Sequence, residues 1–263
     1  MDVEGIRETL TSVYRTASER EITFLAASFA YYAFVSLIPI VLLALVVGSL
    51  LGGQDAAEQL VLVAGDFFPE AGEELLVEAL ETEAGRTEAT VVALAVGLWG
   101  VLKVFRGLSL AFEAIYNDVG EVTLLEEARN GVIVIVAGVG AVALMIVVGA
   151  ALRLAENTIP FAGTISWITL FLGLVFVFVP VYYVLPPITV TAREILPGVI
   201  FTAIGWSILQ AGFQLYTTFA GRYQAYGAVG AVLLFVTWLY FAGIIILAGA
   251  VLNVVWSRPS LAV

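Results

Sequence analysis

Long stretches without any charge are the feature that most limits what this chain can fold into. Five stretches are long enough to matter, and they comprise residues 22–54, 130–152, 157–192, 195–221 and 223–257. A transmembrane helix needs roughly 20 predominantly apolar residues. Strands of a membrane barrel would instead be short, with apolar and polar side chains in alternation. Each stretch therefore predicts a membrane-spanning helix.

A sixth span is predicted over residues 90–116, although it carries Lys103, Arg106 and Glu113. Its neighbours require it, because successive loops must alternate between the two sides of the membrane. The predicted fold class is an all-α polytopic membrane protein with six transmembrane helices in one domain, residues 22–258. The predicted spans are about residues 24–52, 90–116, 131–152, 163–186, 197–220 and 226–256, followed by a cytoplasmic tail at 259–263.

The segment before the first span, residues 1–21, has a helical pattern of its own. Ile6, Leu10, Val13 and Tyr14 recur at helical spacing, and arginines lie nearby. Such a pattern is typical of an amphipathic helix that lies in the membrane interface. We therefore expect a cytoplasmic interfacial helix here.

Between the first two spans, residues 54–89 form a strongly acidic segment. It holds ten acidic residues against Arg86 alone. Short apolar patterns on either side of Pro69 predict amphipathic helices, so we expect an external acidic helical cap. A solvated acidic face and a cation-attracting mouth are both compatible with it.

Composition excludes most enzyme classes. Hydrophobic residues make up 61% of the chain and charged residues 13%, and there is neither Cys nor His. Disulfides, thiolate chemistry and the commonest metal ligand and general base are therefore missing. We predict no enzyme activity, no metal site and no cofactor.

The net charge of −11 bears on the partners of the chain. Nucleic acid is not expected, because an acidic chain repels phosphates. Membrane lipids are the expected partners. The acidic balance and the single lysine are also typical of a proteome adapted to high salt, where a large net charge is screened.

Lys and Arg in the loops predict the orientation. With the amino terminus inside, the cytoplasmic segments hold six arginines, and the external loops hold three. The cytoplasmic six are Arg7, Arg15, Arg20, Arg129, Arg193 and Arg258, and the external three are Arg86, Arg153 and Arg222. We therefore expect a multi-pass protein of the cell membrane with both termini cytoplasmic.

The second span has one polar face. Trp99, Lys103, Arg106, Glu113 and Asn117 fall on one side of a helix. Charges within a span are costly and therefore suggest function. One interpretation is internal neutralisation, in which Glu113 pairs with Arg106 or Lys103 and locks the bundle. The other is a site for an anionic group such as a phosphate or carboxylate, which Arg can bind through its planar fork.

Further polar and aromatic positions in other spans could complete a ligand cavity with that face. Each of the polar residues is also explained by hydrogen bonding between helices. These positions are Ser28, Tyr32 and Ser36 in the first span, Gln210 and Gln214 in the fifth, and Trp238 and Asn253 in the sixth.

Sequence motifs at both ends of the chain point to a known family. Residues 26–39 read Ala-Ala-Ser-Phe-Ala-Tyr-Tyr-Ala-Phe-Val-Ser-Leu-Ile-Pro, with paired aromatics and a Ser-Leu-x-Pro ending. The last span holds Tyr-Gly-Ala at 226–228, Trp-Leu-Tyr at 238–240 and Gly-Ala at 249–250, followed by Asn253. Over essentially its whole length, the chain resembles the YihY/BrkB family of bacterial and archaeal inner-membrane proteins.

Pro197-Gly198 and residues 111–116 also fit the family pattern, and two positions depart from it. Glu113 stands where the family has Asn, and Val251 stands where an acidic residue often follows Gly-Ala. The resemblance implies a six-helix membrane fold, homo-oligomers as an option, and a role in envelope physiology or in export of lipids or other amphiphiles. Some members carry the label ribonuclease BN, which conflicts with a chain that has no histidine.

Two functions remain open from sequence. The first is a transporter or permease-like protein that binds an anionic amphiphile at Lys103 and Arg106, with Glu113 balancing the empty site. The second is a structural or scaffold protein of the envelope, whose charged face only stabilises the bundle. An ion channel is less favoured, because no span has a repeated polar lining.

Overall fold

The computed structural model of the chain describes residues 3–37, 86–117, 129–138, 140, 162–220 and 227–258. Within these ranges, all regular secondary structure is α-helical, as the sequence predicts. The helices are α1 (Val3–Glu19), α2 (Ile22–Leu37), α3 (Arg86–Tyr116), α4 (Arg129–Gly138), α5 (Ala162–Val184), α6 (Ala192–Ala220) and α7 (Gly227–Ser257). The predicted acidic cap, up to residue 85, and most of the third span lie outside the described residues.

Among the described residues, three helices contain segments long and apolar enough to cross a membrane. The segments are Ala95–Tyr116 in α3, Ala192–Tyr216 in α6 and Val232–Ser257 in α7. Shorter apolar helices are Ile22–Leu37, Arg129–Gly138 and Ile168–Val184. The helices are apolar on most of their surface, as expected for segments that contact lipid. These features agree with a helical membrane protein.

Helix α7 is the central element of the described bundle. It packs most extensively against α6, and it also contacts α1 and α3. Helix α2 reaches α7 as well, because Phe34 stacks against Phe235 with ring centroids 6.4 Å apart. Gly243 of α7 lies against Phe29 and Ala26 of α2. Helices α2 and α7 therefore run antiparallel.

One end of the bundle collects several helix termini, and we call it the arginine end, defined by Arg20, Asn117, Glu194 and Arg258. Arg20 Nη1 donates to Asn117 Oδ1 at 2.9 Å, which joins the α1–α2 turn to the last turn of α3. Arg258 Nη2 lies 3.3 Å from Glu194 Oε1, which joins the end of α7 to the start of α6. Helices α2 and α6 therefore begin at this end, and α3 and α7 finish there.

Local sequence explains where the helices stop and start at the arginine end. Asn117 has φ 52°, the left-handed conformation that ends helices and that Asn tolerates. The Arg20 guanidinium beside it carries positive charge near the negative end of the α3 dipole. Helix α6 starts with a capping arrangement, since the Thr191 N–H donates to Glu194 Oε2 at 2.6 Å.

The core of the described bundle is apolar and lies between α2, α3, α5, α6 and α7. Its fully buried side chains include Phe112 and Ile115 of α3, Val199 of α6, and Leu247 and Val251 of α7. Large apolar side chains on the outer faces remain exposed in the single chain. This arrangement positions a few polar groups in otherwise apolar surroundings.

Candidate functional site

Helices α6 and α7 approach each other most closely at two glycines, Gly198 and Gly249. A Cβ atom built on Gly198 would overlap the Asn253 amide and the carbonyl oxygen of Gly249. A Cβ on Gly249 would overlap the hydroxyls of Tyr182 and Thr202. Small residues allow helix backbones to approach this closely in membranes. We call this region the helix crossing, defined by Tyr182, Gly198, Thr202, Gly249 and Asn253.

The crossing also supplies partners for backbone groups that Pro197 disturbs. A proline inside a helix removes a hydrogen bond and displaces the preceding turn. The Gly198 N–H, one residue on, donates to Asn253 Oδ1 at 2.6 Å. Ser257 Oγ donates at 3.4 Å to the carbonyl of Glu194, which a regular helix would pair with Gly198. One face of α7 therefore replaces hydrogen bonds of the first turns of α6.

A buried hydroxyl pair links a third helix to the crossing. The Tyr182 hydroxyl of α5 donates to the Ile246 carbonyl of α7 at 2.6 Å, and it lies 2.5 Å from Thr202 Oγ1. Either hydroxyl can donate between the two, and the Thr202 hydroxyl also donates to the Ile245 carbonyl at 3.4 Å. Tyr182 and Thr202 are both 0% exposed. These hydroxyls therefore join α5, α6 and α7 at the crossing.

Aromatic stacking extends this contact to α3. The Phe112 ring lies 5.7 Å from the Tyr182 ring and 6.3 Å from the Tyr116 ring, nearly parallel to the latter. Tyr182 and Thr202 were not predicted from sequence as site residues. The available signals were a tyrosine shortly after the in-span Pro180, and a threonine one helical turn after Gly198.

The polar face of α3 is exposed along the middle of its apolar segment. Lys103 and Arg106 are exposed, and the Trp99 side chain is 59% exposed. Lys103 Nζ lies 5.2 Å from the centroid of the Trp99 ring, one helical turn back. Helical side chains point towards the amino terminus, which allows this cation–π contact. The contact orients the ammonium group at the surface of the helix.

Glu113 does not neutralise these cations by direct contact. Among the residues that the structure describes, no ion pair joins Glu113 to Lys103 or Arg106. Arg106 and Glu113 are seven positions apart, which corresponds to a rise of about 10 Å along a helix, and Lys103 lies farther away still. Glu113 is half-buried, whereas Asn117 is exposed and accepts from Arg20. The described residues thus show no direct pairing of Glu113 with either cation, and internal neutralisation of the polar face stays a prediction.

The remaining predicted site residues do not converge on one point. Tyr32 lies beside α3, since a Cβ on Gly107 would be 3.3 Å from its ring. Ser36 is buried and Ser28 is half-buried on the same helix. On α6, Gln210 is half-buried and Gln214 is exposed. Only Tyr32 therefore has a described contact near the cations.

Trp238 and Asn253 occupy separate parts of α7. Fifteen residues separate them, which is about 22 Å along a helix. Asn253 belongs to the helix crossing, whereas Trp238 belongs to a cluster of aromatic rings. The Trp206 ring lies 5.4 Å away from that of Trp238, and the Phe213 ring lies 6.3 Å away. These rings are explained by packing between α6 and α7.

The apolar helices, the crossing and the absence of strands from the described ranges define the class as an α-helical membrane protein. The family model described as Virulence factor BrkB matches residues 13–262. The chain therefore belongs to this family, which confirms the resemblance seen in the sequence motifs.

Several curated relatives are similar over parts of the chain. The ribonuclease-like protein YfkH of Bacillus subtilis is 34% identical over 92 residues, which are 35% of this chain and 34% of that protein. A UPF0761 membrane protein of Pseudomonas aeruginosa (strain LESB58) is 28% identical over 215 residues, which are 74% of this chain and 51% of that protein. The matched stretches thus cover about a third of YfkH and about half of the Pseudomonas protein. No solved structure matches the chain at a significant level.

Proposed function

We propose that this BrkB-family membrane protein binds an anionic amphiphile, such as a lipid, at the cationic face of α3 (Trp99, Lys103 and Arg106) and acts as a transporter or permease for it. The observation that carries the proposal is the exposure of both cations on the segment Ala95–Tyr116. Charged side chains near the middle of a membrane span are costly unless they meet opposite charge or water.

An anionic headgroup is one group of opposite charge that this exposed face could bind. The Arg106 guanidinium can hold two oxygens of a phosphate or carboxylate at once, and Lys103 adds a point charge. The exposed indole of Trp99 and the ring of Tyr32 offer apolar surface to the rest of the amphiphile. Net positive charge is thus presented beside apolar surface, which matches the chemistry of an anionic lipid.

The same proposal includes a multi-pass topology with six spans and both termini in the cytoplasm. It is supported by the alternating directions of the described helices, since α2 starts and α7 finishes at the arginine end. The arginines at that end agree with the positive-inside rule. Homo-oligomers are compatible with the exposed apolar surface.

The ribonuclease in the name of YfkH is not carried over to this chain. Hydrolysis of a phosphodiester needs metal ligands or acid–base groups that meet substrate in water. The chain has no histidine and no cysteine. We therefore infer that it is not an enzyme.

The binding step is tested by native mass spectrometry of protein purified with phosphatidylglycerol. The double variant Lys103→Gln/Arg106→Gln should lose most of the bound anionic lipid, whereas Lys103→Arg/Arg106→Lys keeps both charges and should retain it. Equal retention in both variants would refute the site. Transport is tested with the same pair, by the rate at which fluorescent phosphatidylglycerol changes leaflet in proteoliposomes.

A structural or scaffold role in the envelope is the second candidate. It is favoured by the helix crossing, where hydroxyls and amides of three helices pair mainly with one another. Under this role, the double variant would keep its lipid and its leaflet-exchange rate. Only its stability would change.

A further inference from the structure

Two prolines interrupt neighbouring helices at nearly the same depth of the bundle. Pro180 lies inside α5, and Pro197 lies inside α6. Both are close to Gly249 of α7, because a Cβ atom built on this glycine would meet the Tyr182 hydroxyl and the Gly198 carbonyl. A proline removes a backbone hydrogen bond and is a common cause of a sharp bend in a helix. The hairpin of α5 and α6 therefore has a bending point in each arm, beside the helix crossing.

Residues 183–196 lie between these two bending points, and we call them the hairpin tip. The tip holds the last turn of α5, the connection to α6 and the first turn of α6. It lies at the arginine end, where Arg258 Nη2 donates to the Thr189 carbonyl at 2.8 Å and also contacts Glu194. The tip therefore covers the bundle on the side where α7 finishes.

Two kinds of contact hold the tip in place. Leu185 and Ile195 are buried in the apolar core. The described hydrogen bonds between α7 and the tip come from Ser257 and Arg258, and that of Ser257 to the Glu194 carbonyl is long, at 3.4 Å. The pair of Arg258 and Glu194 is partly exposed, and such pairs contribute little to stability. The polar contacts of the tip can therefore be broken without unfolding α7.

The helix crossing, directly beneath the tip, contains a buried donor that favours hydration. Asn253 is 2% exposed, and its Oδ1 accepts from the Gly198 N–H at 2.6 Å, which fixes the orientation of the amide. Its Nδ2 has no acceptor in the part of the chain that the structure describes. A buried donor without an acceptor costs stability, and a bound water removes most of that cost. Movement of the tip that admits water to Asn253 is therefore favoured by this group.

We propose that the hairpin tip is a gate at the arginine end of the protein. It pivots at Pro180 and Pro197, and Arg258 holds it in the closed form that the structure describes. Opening admits water to the polar groups of the helix crossing. Hinges are short stretches that absorb changes in backbone angles, which the turns at the two prolines can do. The gate is separate from the cationic face of α3 and does not depend on the function proposed for that face.

The chain contains no cysteine, so two introduced cysteines can be spin-labelled without background. We would label Ala192→Cys in the tip and Ala114→Cys on α3, which are both exposed, in the full chain in nanodiscs. Double electron–electron resonance then measures the distance between the two labels. In the control pair, Ile208→Cys replaces Ala192→Cys, because Ile208 is exposed on α6 beyond Pro197. The control pair reports movement of α6 as a whole.

Loss of the Arg258 contacts should open the gate. Arg258→Gln should raise the population at a second distance between positions 192 and 114 about fivefold, as expected when one partly exposed ion pair and one hydrogen bond are lost. Backbone amides of residues 198–203 should then exchange hydrogen faster, because water reaches the crossing. Arg193→Gln removes a neighbouring exposed arginine and should change neither measurement. Lys103→Gln/Arg106→Gln should also change neither, so failure of the lipid site and failure of the gate are distinguishable.

Replacing the prolines tests the pivot. In the Arg258→Gln chain, Pro180→Ala/Pro197→Ala should return most of the population to the closed distance, because regular helices resist bending. If that variant does not fold, Pro180→Ala alone leaves the Gly198–Asn253 bond in place and should return part of the population. The gate would be refuted by one unchanged distance in Arg258→Gln, or by an equal change in the control pair. An open population undiminished by the alanine substitutions would also refute it, because the prolines would then not be the pivot.

Discussion

Two fully buried threonines show how differently two regions of this molecule are held together. Thr202, at the helix crossing, exchanges a hydrogen bond with Tyr182. Thr16, at the contact between α1 and the bundle, is also 0% exposed, yet its hydroxyl has no hydrogen-bond partner in the described part of the chain. The crossing therefore contains polar pairing between helices, whereas the described contact of Val13, Thr16 and Ala17 with the bundle is made by packing.

Two other threonines of α1 differ from Thr16 in their hydrogen bonding. Thr9 and Thr11 each donate to the carbonyl four residues earlier, at 2.8 Å. The buried hydroxyl of Thr16 makes no such bond to a described residue. A buried hydroxyl without a partner costs stability, whereas a paired one is close to neutral or favourable. Thr16 therefore adds a desolvation cost to the α1 contact, which the paired hydroxyl of Thr202 does not add to the crossing.

The largest expected effect comes from filling the crossing. Gly198→Ala places a methyl group against the Gly249 carbonyl and the Asn253 amide, so α6 and α7 must separate. We expect the free energy of unfolding in detergent to fall by about 3 kcal/mol, the upper range for overpacking. Chemical denaturation monitored by tryptophan fluorescence would measure it.

Gly212→Ala is the matched control, because it lies on the same helix with no atom within 4 Å of the new methyl group. It should be neutral or stabilise the protein by up to about 1 kcal/mol, since alanine is the better helix former. If both variants lost the same stability, close approach at Gly198 would not be what holds the two helices.

A smaller loss is expected when the amide of Asn253 is removed. Asn253→Leu leaves the buried Gly198 N–H without its acceptor at 2.6 Å. The Nδ2 of Asn253 has no acceptor among the described residues, so removing this donor recovers part of the lost free energy of unfolding. We expect a net destabilisation of about 1–2 kcal/mol in the same denaturation experiment.

Thr237→Val serves as the comparison on the same helix. Its hydroxyl is exposed and donates to its own backbone, the Leu233 carbonyl, at 2.7 Å. No other helix depends on that bond, so stability should hardly change. An equal loss in the two variants would mean that the Asn253–Gly198 bond contributes nothing specific.

The sequence predicted the helical class and several residues of the helix crossing, but not the contacts that these residues make between helices. Pro197-Gly198, Gly249-Ala250 and Asn253 were recognised as motifs, and the structure brings Gly198, Gly249 and Asn253 into one contact. Periodicity along a single helix does not show which face of another helix will meet it. For this reason Tyr182 and Thr202, which have partners only across helices, were missed.

For the cationic face of α3, the sequence predicted which residues share a face but not what that face contacts. Its residues were predicted correctly to share one side of a helix, because a period of 3.6 residues is a local property. Whether that side meets protein, lipid or water depends on helix packing, which the sequence does not contain. The Glu113 pairing was suggested by charge alone, and its separation from the cations along the helix disfavours a direct contact.

The smallest expected effects test the comparison between Thr202 and Thr16 directly, because the same substitution is made at both positions. Valine has nearly the shape of threonine without the hydroxyl, so packing is conserved while hydrogen bonding is removed. Thr202→Val loses a bond to Tyr182 and should lower the free energy of unfolding by about 1 kcal/mol. Thr16→Val removes a hydroxyl that has no described partner, and it should raise that free energy by about 1 kcal/mol. Opposite signs in parallel denaturation curves would establish that the two contacts differ in kind. A loss at both positions would instead mean that Thr16 finds a partner in the membrane-embedded protein, and that α1 is bound as specifically as the crossing.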